Sequence, residues 1–221
     1  GLLKSLGNDP NLPRTIKPDG SLVTVKPDDW TSGFVPGSLW FLYEYSGSDD
    51  WKQKAVAFTN RLESIRHFTG NHDGGFMLGC SYGNALRLNP DDTTRAILRD
   101  GAAALATRYV PELGMIRSWD HKPYICPVII DNMMNLELLS WAAKNGGDPK
   151  LREIAVSHAD HVVVTGGPTL RKWENLRVTE DQHDRWWANF VRASTLRMAE
   201  IRKAYGADAP IVWMVYQPAY Q

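Results

Sequence analysis

Apolar residues recur at three- and four-residue steps along most of the chain, which is the spacing that places side chains on one face of a helix. Segments with this pattern span residues 35–47, 49–68, 92–109, 131–147 and 148–164. Polar or Gly-rich loops separate them, and residues 72–88 combine such a loop with a short helical segment. Because no segment between them alternates convincingly between apolar and polar residues, the pattern predicts an all-α array of antiparallel helix pairs.

Three parts of the chain differ in pattern. Residues 1–29 carry Pro, Gly, Asn and Asp with little periodicity, which predicts an extended, loop-like arm. Residues 30–161 contain the helix pairs and form the expected helical-hairpin domain. Residues 162–221 are a divergent tail, in which we expect one long amphipathic helix over 183–206 that packs on the same domain.

The most unusual residues stand in the loops rather than in the helices. Asp29–Trp30, His72–Asp73, Trp119–Asp120 and Asp131 occur about once per helical pair. Loops at one end of a helical array come together in space, and such loops often carry function. We therefore expect these residues to line a common cleft.

Composition and charge narrow the classes of function. Lys plus Arg and Asp plus Glu both total 25, so the chain lacks the basic footprint of a nucleic-acid binder. The apolar runs are too short for a membrane-spanning helix, and two cysteines are too few for a disulfide framework or a metal cluster. The sequence thus predicts neither a nucleic-acid partner nor a membrane partner.

Asp131 is the strongest candidate for an acid. It follows the apolar run Val128–Ile130 and precedes a largely apolar helix. Burial raises the pKa of a carboxyl group because it disfavours the anion, so such a group can keep its proton until a substrate arrives. The alternative is structural, since Asp is a favoured N-cap and a helix begins at Asn132. Asn135, one helical turn later, could hold the Asp131 carboxylate in place.

A second carboxylate lies in a His-Asp-Gly-Gly motif. Asp73 could hold a sugar hydroxyl and tune Asp131 through like-charge proximity, or it could form the Asx turn that Asp-Gly favours. His72 could donate to a substrate carboxylate or merely cap the loop. Elsewhere His158 and His161 are close in sequence, but no third ligand is evident, so we predict no metal site.

Aromatic and basic residues complete the candidate site. Trp30 could form a platform for a sugar ring, although a lone Trp is more often part of a core. Trp119 and Asp120 are expected to line the same cleft, with Asp120 alternatively capping a turn. Arg117 offers a planar fork that suits a substrate carboxylate, and a solvated surface Arg is the alternative.

Four stretches of the chain together resemble a known family. They are DWTSGFVPGSLWFLYEYSG, HDGGFMLGCSYG, IRSWD and VIIDNMMNLELLSWAAKNGGD, in this order and spacing. They are similar to the motifs of glycoside hydrolase family 88, the unsaturated glucuronyl hydrolases, and the resemblance runs from about residue 11 to about residue 160. Any one stretch is weak evidence, whereas four ordered stretches are specific.

The resemblance implies a fold, a reaction and roles for several residues. The fold is an (α/α)6 toroid, and the enzymes remove an unsaturated uronic acid from lyase-generated oligosaccharides by hydrating its C4–C5 double bond. Asp131 matches the general acid/base, Asp73 matches a second essential carboxylate, and Trp30 and His72 match substrate-contacting positions. No metal or organic cofactor is implied, and a bacterial location in the cytoplasm or periplasm is expected.

The tail departs from the family pattern. No RGQAW motif follows His161–Val164, so we expect the toroid-like array to be incomplete. A partial ring exposes the inner faces of its helices, which the tail, a second copy or another chain would have to cover. The alternative function is therefore a non-catalytic carbohydrate-binding or ring-completing remnant of such an enzyme.

Overall fold

A series of helices and two short β-hairpins make up the part of the chain that the computed structural model describes, residues 9–120 and 126–165. The elements are β1 Leu12–Ile16, β2 Leu22–Val25, α1 Phe34–Ser46, α2 Asp49–Asn60, α3 Gly74–Leu78, α4 Asn84–Leu88, α5 Asp92–Ala106, β3 Tyr109–Val110, β4 Met115–Ile116, α6 Asn132–Lys144 and α7 Lys150–Thr165. A 3₁₀ turn at Glu63–His67 follows α2, and a π turn at Gly79–Gly83 joins α3 to α4. The tail helix that we expect over residues 183–206 lies outside the described residues.

Consecutive helices pack against each other, as the pattern predicts. Helix α1 packs on α2 and α6 packs on α7, while α3, α5 and α6 contact one another. The buried residues of α5 follow three- and four-residue steps: Thr94, Ile97, Leu98, Gly101, Ala102, Ala104 and Leu105. Asp91 caps this helix, because its side chain accepts a hydrogen bond from the Thr94 N–H at 2.8 Å.

The main hydrophobic core lies between α3, α5, α6 and α7. Met77, Leu78, Leu105 and Leu139 are almost completely buried in it. A second core lies under α1 and α2, around Trp40. These two cores hold the helices from which the site described below is built.

The N-terminal arm differs from the prediction of an extended loop. Strands β1 and β2 form an antiparallel hairpin in which Leu12 pairs with Val25, and Leu12 is fully buried in the second core. Gly20 closes the turn at φ +85°, a left-handed conformation that glycine adopts at no steric cost. The strands are only four and five residues long, so their alternation is too brief to stand out in the sequence.

The Gly-rich stretch after His72 is helical rather than loop-like, which corrects a second prediction. Helix α3 begins at Gly74, and the π turn continues it into α4. A Cβ atom at Gly75 would lie 2.6 Å from the Cα of Asn135, so this glycine allows α3 to approach α6 closely. The predicted helix over residues 49–68 is likewise divided, into α2 and the 3₁₀ turn.

An open groove of about 540 Å³ runs between α1, the α3–α4 segment and α6. Its apolar walls include Phe34, Gly37 and Phe41 from α1 and Met134, Leu138 and Trp141 from α6. Both sets follow three- and four-residue steps, so each helix presents one stripe to the groove. Among the described residues, no helix is both long and apolar enough to span a membrane.

Candidate active site

Two carboxylates and one histidine come together where α3 and α6 begin. Asp73 immediately precedes α3 and Asp131 immediately precedes α6. One oxygen of each carboxylate and a ring nitrogen of His72 all lie within 4.8 Å of one another. The Nε2 atom of His72 is 3.3 Å from Asp73 Oδ1 and 3.9 Å from Asp131 Oδ1. The structure thus brings three of the predicted site residues into one cluster.

Neither carboxylate has the local structural role that the sequence left open. Asp73 and Asp131 occupy the N-cap positions of their helices, but neither side chain makes a capping hydrogen bond. The Asx turn in this region belongs to Asn71, whose Oδ1 accepts from the Asp73 N–H at 2.9 Å. Both acidic side chains are therefore available for chemistry.

Burial raises the pKa of both carboxyl groups. The pKa of Asp131 rises to about 6, chiefly because the group is partly withdrawn from water. The pKa of Asp73 also rises to about 6, first through burial and then through the negative charges of Asp131 and Asp29, while Arg108 opposes the rise. The Asp131 side chain is 41% exposed and that of Asp73 only 14%, so Asp131 is the more accessible acid.

His72 is a buried ring between the two acids. Its pKa falls to about 4, first because burial disfavours the imidazolium and then through the nearby charge of Arg108, whereas the Asn132 side chain favours the charged form. The ring is therefore neutral near pH 7. With its proton on Nε2, it donates toward the Asp73 carboxylate, so this geometry suits a group that orients the acidic pair.

A short segment, residues 117–120, connects the two acids and is called the strap below. The backbone N–H of His72 donates to Ser118 O at 3.0 Å, and the N–H of Ser118 donates to Pro127 O at 2.7 Å. The N–H of Ile129 donates to the Ser118 hydroxyl at 3.1 Å. The strap is thus bonded on one side to the loop of Asp73 and on the other side to the segment that leads into Asp131.

Aromatic side chains pack on the elements that carry the acidic pair. Trp30 is 46% exposed and packs edge to face against Phe34 and Phe76, with ring centroids 5.6 and 6.4 Å away. It is therefore not a core residue. Trp119 packs edge-on against the His72 ring, with centroids 6.4 Å apart. Phe34 and Phe76 are additions to the predicted set, and only their apolar character marked them in the sequence.

Two predicted residues have different contacts from those expected. Asn135 is fully buried, and its Oδ1 accepts from the Phe76 N–H at 2.9 Å. It therefore does not hold the Asp131 carboxylate as predicted: its Oδ1 bonds α3, and its Nδ2 has no hydrogen-bond partner among the described residues. Arg117 lies with its Nε 2.7 Å from Asp120 Oδ1, so it forms an ion pair there.

A buried polar network behind the site escaped the sequence analysis. The Asn132 side-chain N–H donates to Ile116 O at 2.8 Å, and the Ile116 N–H donates to His158 Nδ1 at 2.9 Å. Burial lowers the pKa of His158 to about 4. The network ties α7 to the beginning of α6, and polar residues inside apolar helical stretches were the signal that could have revealed it.

The cluster of His72, Asp73 and Asp131 is also compact enough to share a cation. Acidic groups at such distances are common without an ion. The family resemblance implies none, and the absence of a metal stays a prediction.

Comparisons with known proteins agree with this fold. An unsaturated glucuronyl hydrolase of Formosa agariphila is 42% identical over 154 residues, which are 68% of this chain and 38% of that protein. A solved unsaturated glucuronyl hydrolase specific for heparin is similar with a TM-score of 0.69 and 42% identity, over 74% of this chain and 44% of that one. A second solved unsaturated glucuronyl hydrolase (UGL), with dGlcA-Glc-Rha-Glc, is similar with a TM-score of 0.66 and 30% identity. This similarity covers 73% of this chain and 44% of that one. No family model matches the chain.

The helix pairs and these relatives define an all-α domain of the α/α-toroid type, which confirms the predicted fold class. Over about two thirds of its length the chain is similar to unsaturated glucuronyl hydrolases, as the four motifs predicted, and its C-terminal part is not covered by the similarity. The chain spans about two fifths of the length of the curated relatives that it matches. The part of the chain that matches these relatives therefore corresponds to only part of their toroid.

Proposed function

We propose that this domain carries the acid/base site of a hydrolase that removes unsaturated uronic acid from lyase-generated oligosaccharides. The observation that supports it best is the pair of carboxylates around a buried, neutral His72, each with a pKa raised to about 6. A carboxyl group with a pKa in this range keeps a proton close to neutral pH and can also take one back. Hydration of a double bond requires both steps.

Asp131 acts as the general acid and then as the general base. Its proton goes to C4 of the C4–C5 double bond, which is electron-rich as part of an enol ether, and positive charge develops at C5 beside the ring oxygen. Water adds to C5 and returns a proton to the Asp131 carboxylate, so the acid is regenerated. The net reaction adds one water, and the hemiketal that forms opens and releases the partner sugar.

Asp73 supports this step from a more buried position. Its Oδ1 faces His72 Nε2 at 3.3 Å, so the neutral ring orients it beside Asp131. One oxygen of Asp73 and one of Asp131 lie within 4.8 Å of each other. Two carboxylates this close resist ionising together, which favours a shared proton on the pair. Asp73 can also accept a hydrogen bond from a sugar hydroxyl.

Substrate binding is assigned to the side chains around the pair. Trp30, with Phe34 and Phe76 behind it, presents an apolar surface to a sugar ring. Trp119 and His72 border the acids on the other side. Arg117 is a candidate for the uronate carboxylate, which would compete with Asp120 for the guanidinium.

The test measures loss of absorbance from the conjugated double bond when lyase-generated disaccharides are added to the full chain. Asp131→Asn should lower the rate by about 10³-fold or more, with an unchanged circular dichroism spectrum, because the amide cannot supply the proton. Asp92→Asn is the matched control, since the side chain of Asp92 is fully exposed on α5. Normal turnover by the Asp131 variant would refute the assigned role.

A carbohydrate-binding remnant is the second candidate. The exposed aromatic cluster at Trp30 could bind sugar even though the chain spans less than half of its solved relatives. Calorimetry with the same disaccharides distinguishes the two functions, because binding without turnover by the unaltered chain supports the remnant. Sedimentation tests the predicted homo-oligomer or second chain that would complete the ring.

A further inference from the structure

Arg108 is a buried cation that the sequence analysis did not place in the site. It stands between α5 and β3, and its side chain is only 3% exposed. A buried guanidinium is costly unless hydrogen bonds and opposite charge compensate it. Its partners therefore indicate what it does.

The guanidinium of Arg108 joins the two loops that border the carboxylate pair. Its Nε donates to Arg117 O at 2.8 Å, and its Nη1 donates to Thr69 O. Its Nη1 and Nη2 also lie 3.2 Å from the two oxygens of Asp120. One side chain thus bonds the loop that leads to His72 and both ends of the strap.

The charge of Arg108 also acts on the carboxylate pair. The charged and titratable groups that act on Asp73 are Asp131 and Asp29, which disfavour its anion, and Arg108, which favours it, beside the neutral ring of His72. Asp29 is itself paired with Arg14 at 3.1 Å. Arg108 therefore opposes the rise in the Asp73 pKa that burial and the two negative neighbours cause.

We propose that Arg108 is a positioning residue, which holds the Asp73 loop against the strap and limits how strongly Asp73 competes with Asp131 for their shared proton. The inference rests on the proposed function, in which Asp131 must receive that proton to act as the acid. A lysine could supply the charge but not the planar set of donors that reaches three partners at once. Charge and geometry can therefore be separated by substitution.

The experiment titrates the side-chain carboxyls by NMR in the full chain labelled with ¹³C-aspartate, with Asp73→Asn and Asp131→Asn used for assignment. In Arg108→Met the pKa of Asp73 should rise by about one pH unit. In Arg108→Lys it should stay near the unaltered value, while turnover falls about tenfold because the hydrogen bonds are lost. Arg95→Met, which removes a half-exposed cation on α5, is the control and should move neither.

A second variant acts in the opposite direction. Asp120→Asn removes the negative charge that partly offsets Arg108, so the pKa of Asp73 should fall, by about 0.5 pH unit. This variant decides the matter if Arg108→Met does not fold, because Asp120 is half exposed and its amide keeps the shape. An unchanged or raised pKa in Asp120→Asn, or an unchanged pKa in folded Arg108→Met, would overturn the proposal.

The titration needs no turnover, so the two proposals can fail separately. A chain that is inactive but shows the expected pKa shifts contradicts the proposed function alone. A chain that is active but shows no shifts contradicts the role of Arg108 alone.

Discussion

The acidic site and the groove both involve α3 and α6, but polar groups are buried at the site whereas apolar side chains are exposed in the groove. Around the acids, some buried polar groups are held by hydrogen bonds, as with Arg108 and Ser118. In the groove, large apolar side chains stay open, and Phe41 is 56% exposed. The hydrogen bonds of Arg108 and of the strap lie within residues 69–129, whereas the groove has walls on only some sides. Part of a ring can therefore preorganise acid/base groups, while covering the inner helix faces needs further chain.

Asp73→Asn tests the acidic site and should have the largest effect after Asp131→Asn. We expect turnover to fall by about 10²–10³-fold, because the amide cannot share a proton with Asp131. The fold should persist, since the side chain makes no capping bond. Initial rates from the absorbance assay measure the change, and a rate within threefold of the unaltered chain would contradict it.

Gly75→Ala should cost about 3 kcal/mol of unfolding free energy, because its methyl group would meet the Asn135 backbone and side chain between α3 and α6. Urea unfolding measures the loss. Gly79→Ala is the matched control further along the same segment, where an added Cβ meets nothing within 4 Å. The control should be neutral or slightly stabilising, and equal losses in both variants would show that helix contact is not the cause.

Phe41→Asp tests whether the tail or a second copy covers the groove in the whole chain. If the tail packs on this domain as we expect, the charge should cost about 2 kcal/mol, because burying it in an apolar contact is unfavourable. Tyr45→Asp, one turn further along α1 and highly exposed, should be neutral. A neutral Phe41 variant would show that nothing covers this wall, and a cost that grows with protein concentration would indicate a second copy.

His158→Gln should have the smallest effect, visible as pH dependence. The pKa of His158 is about 4 in the folded chain and near 6.5 when unfolded, so only the unfolded state takes up a proton between these values. The folded state therefore loses stability as the pH falls through this window, by about 2 kcal/mol between pH 7 and pH 5. Glutamine can still accept from Ile116 but does not titrate.

The measurement for His158→Gln is urea unfolding at pH 7 and pH 5. Compared with the unaltered chain, the variant should lose about 1–2 kcal/mol less on acidification. His67→Gln replaces an exposed histidine and serves as the control. An identical loss in the His158 variant and the unaltered chain would mean that this ring does not titrate as described.

The sequence predicted those parts of the fold that rest on local rules. Helix α5 has a clear apolar stripe and a capping aspartate, and α6 ends before Gly146, whose φ is +86°. The Gly-rich α3 was mistaken for a loop because glycine disfavours helices in isolation. Its close contact with Asn135, sixty residues away along the chain, overrides that preference and cannot be deduced from local pattern.

The sequence predicted the two acids of the candidate site but not the residues that hold them in place. Asp131 and Asp73 stood out because each is an acid beside apolar or Gly-rich sequence, and the family motifs included both. Arg108 gave no such signal, since an arginine after a helix is usually solvated. Its function depends on partners at Thr69, Arg117 and Asp120, which only the tertiary structure brings together.

The strap has a consequence for how such sites can diversify. Two of its bonds, from His72 to Ser118 and from Ser118 to Pro127, use only main-chain atoms. Substitutions at Trp119 can therefore reshape the surface beside His72 without loosening the frame that sets the distance between the acids. Under the proposed function, preference for one oligosaccharide over another can change at Trp119 while the two acids keep their positions.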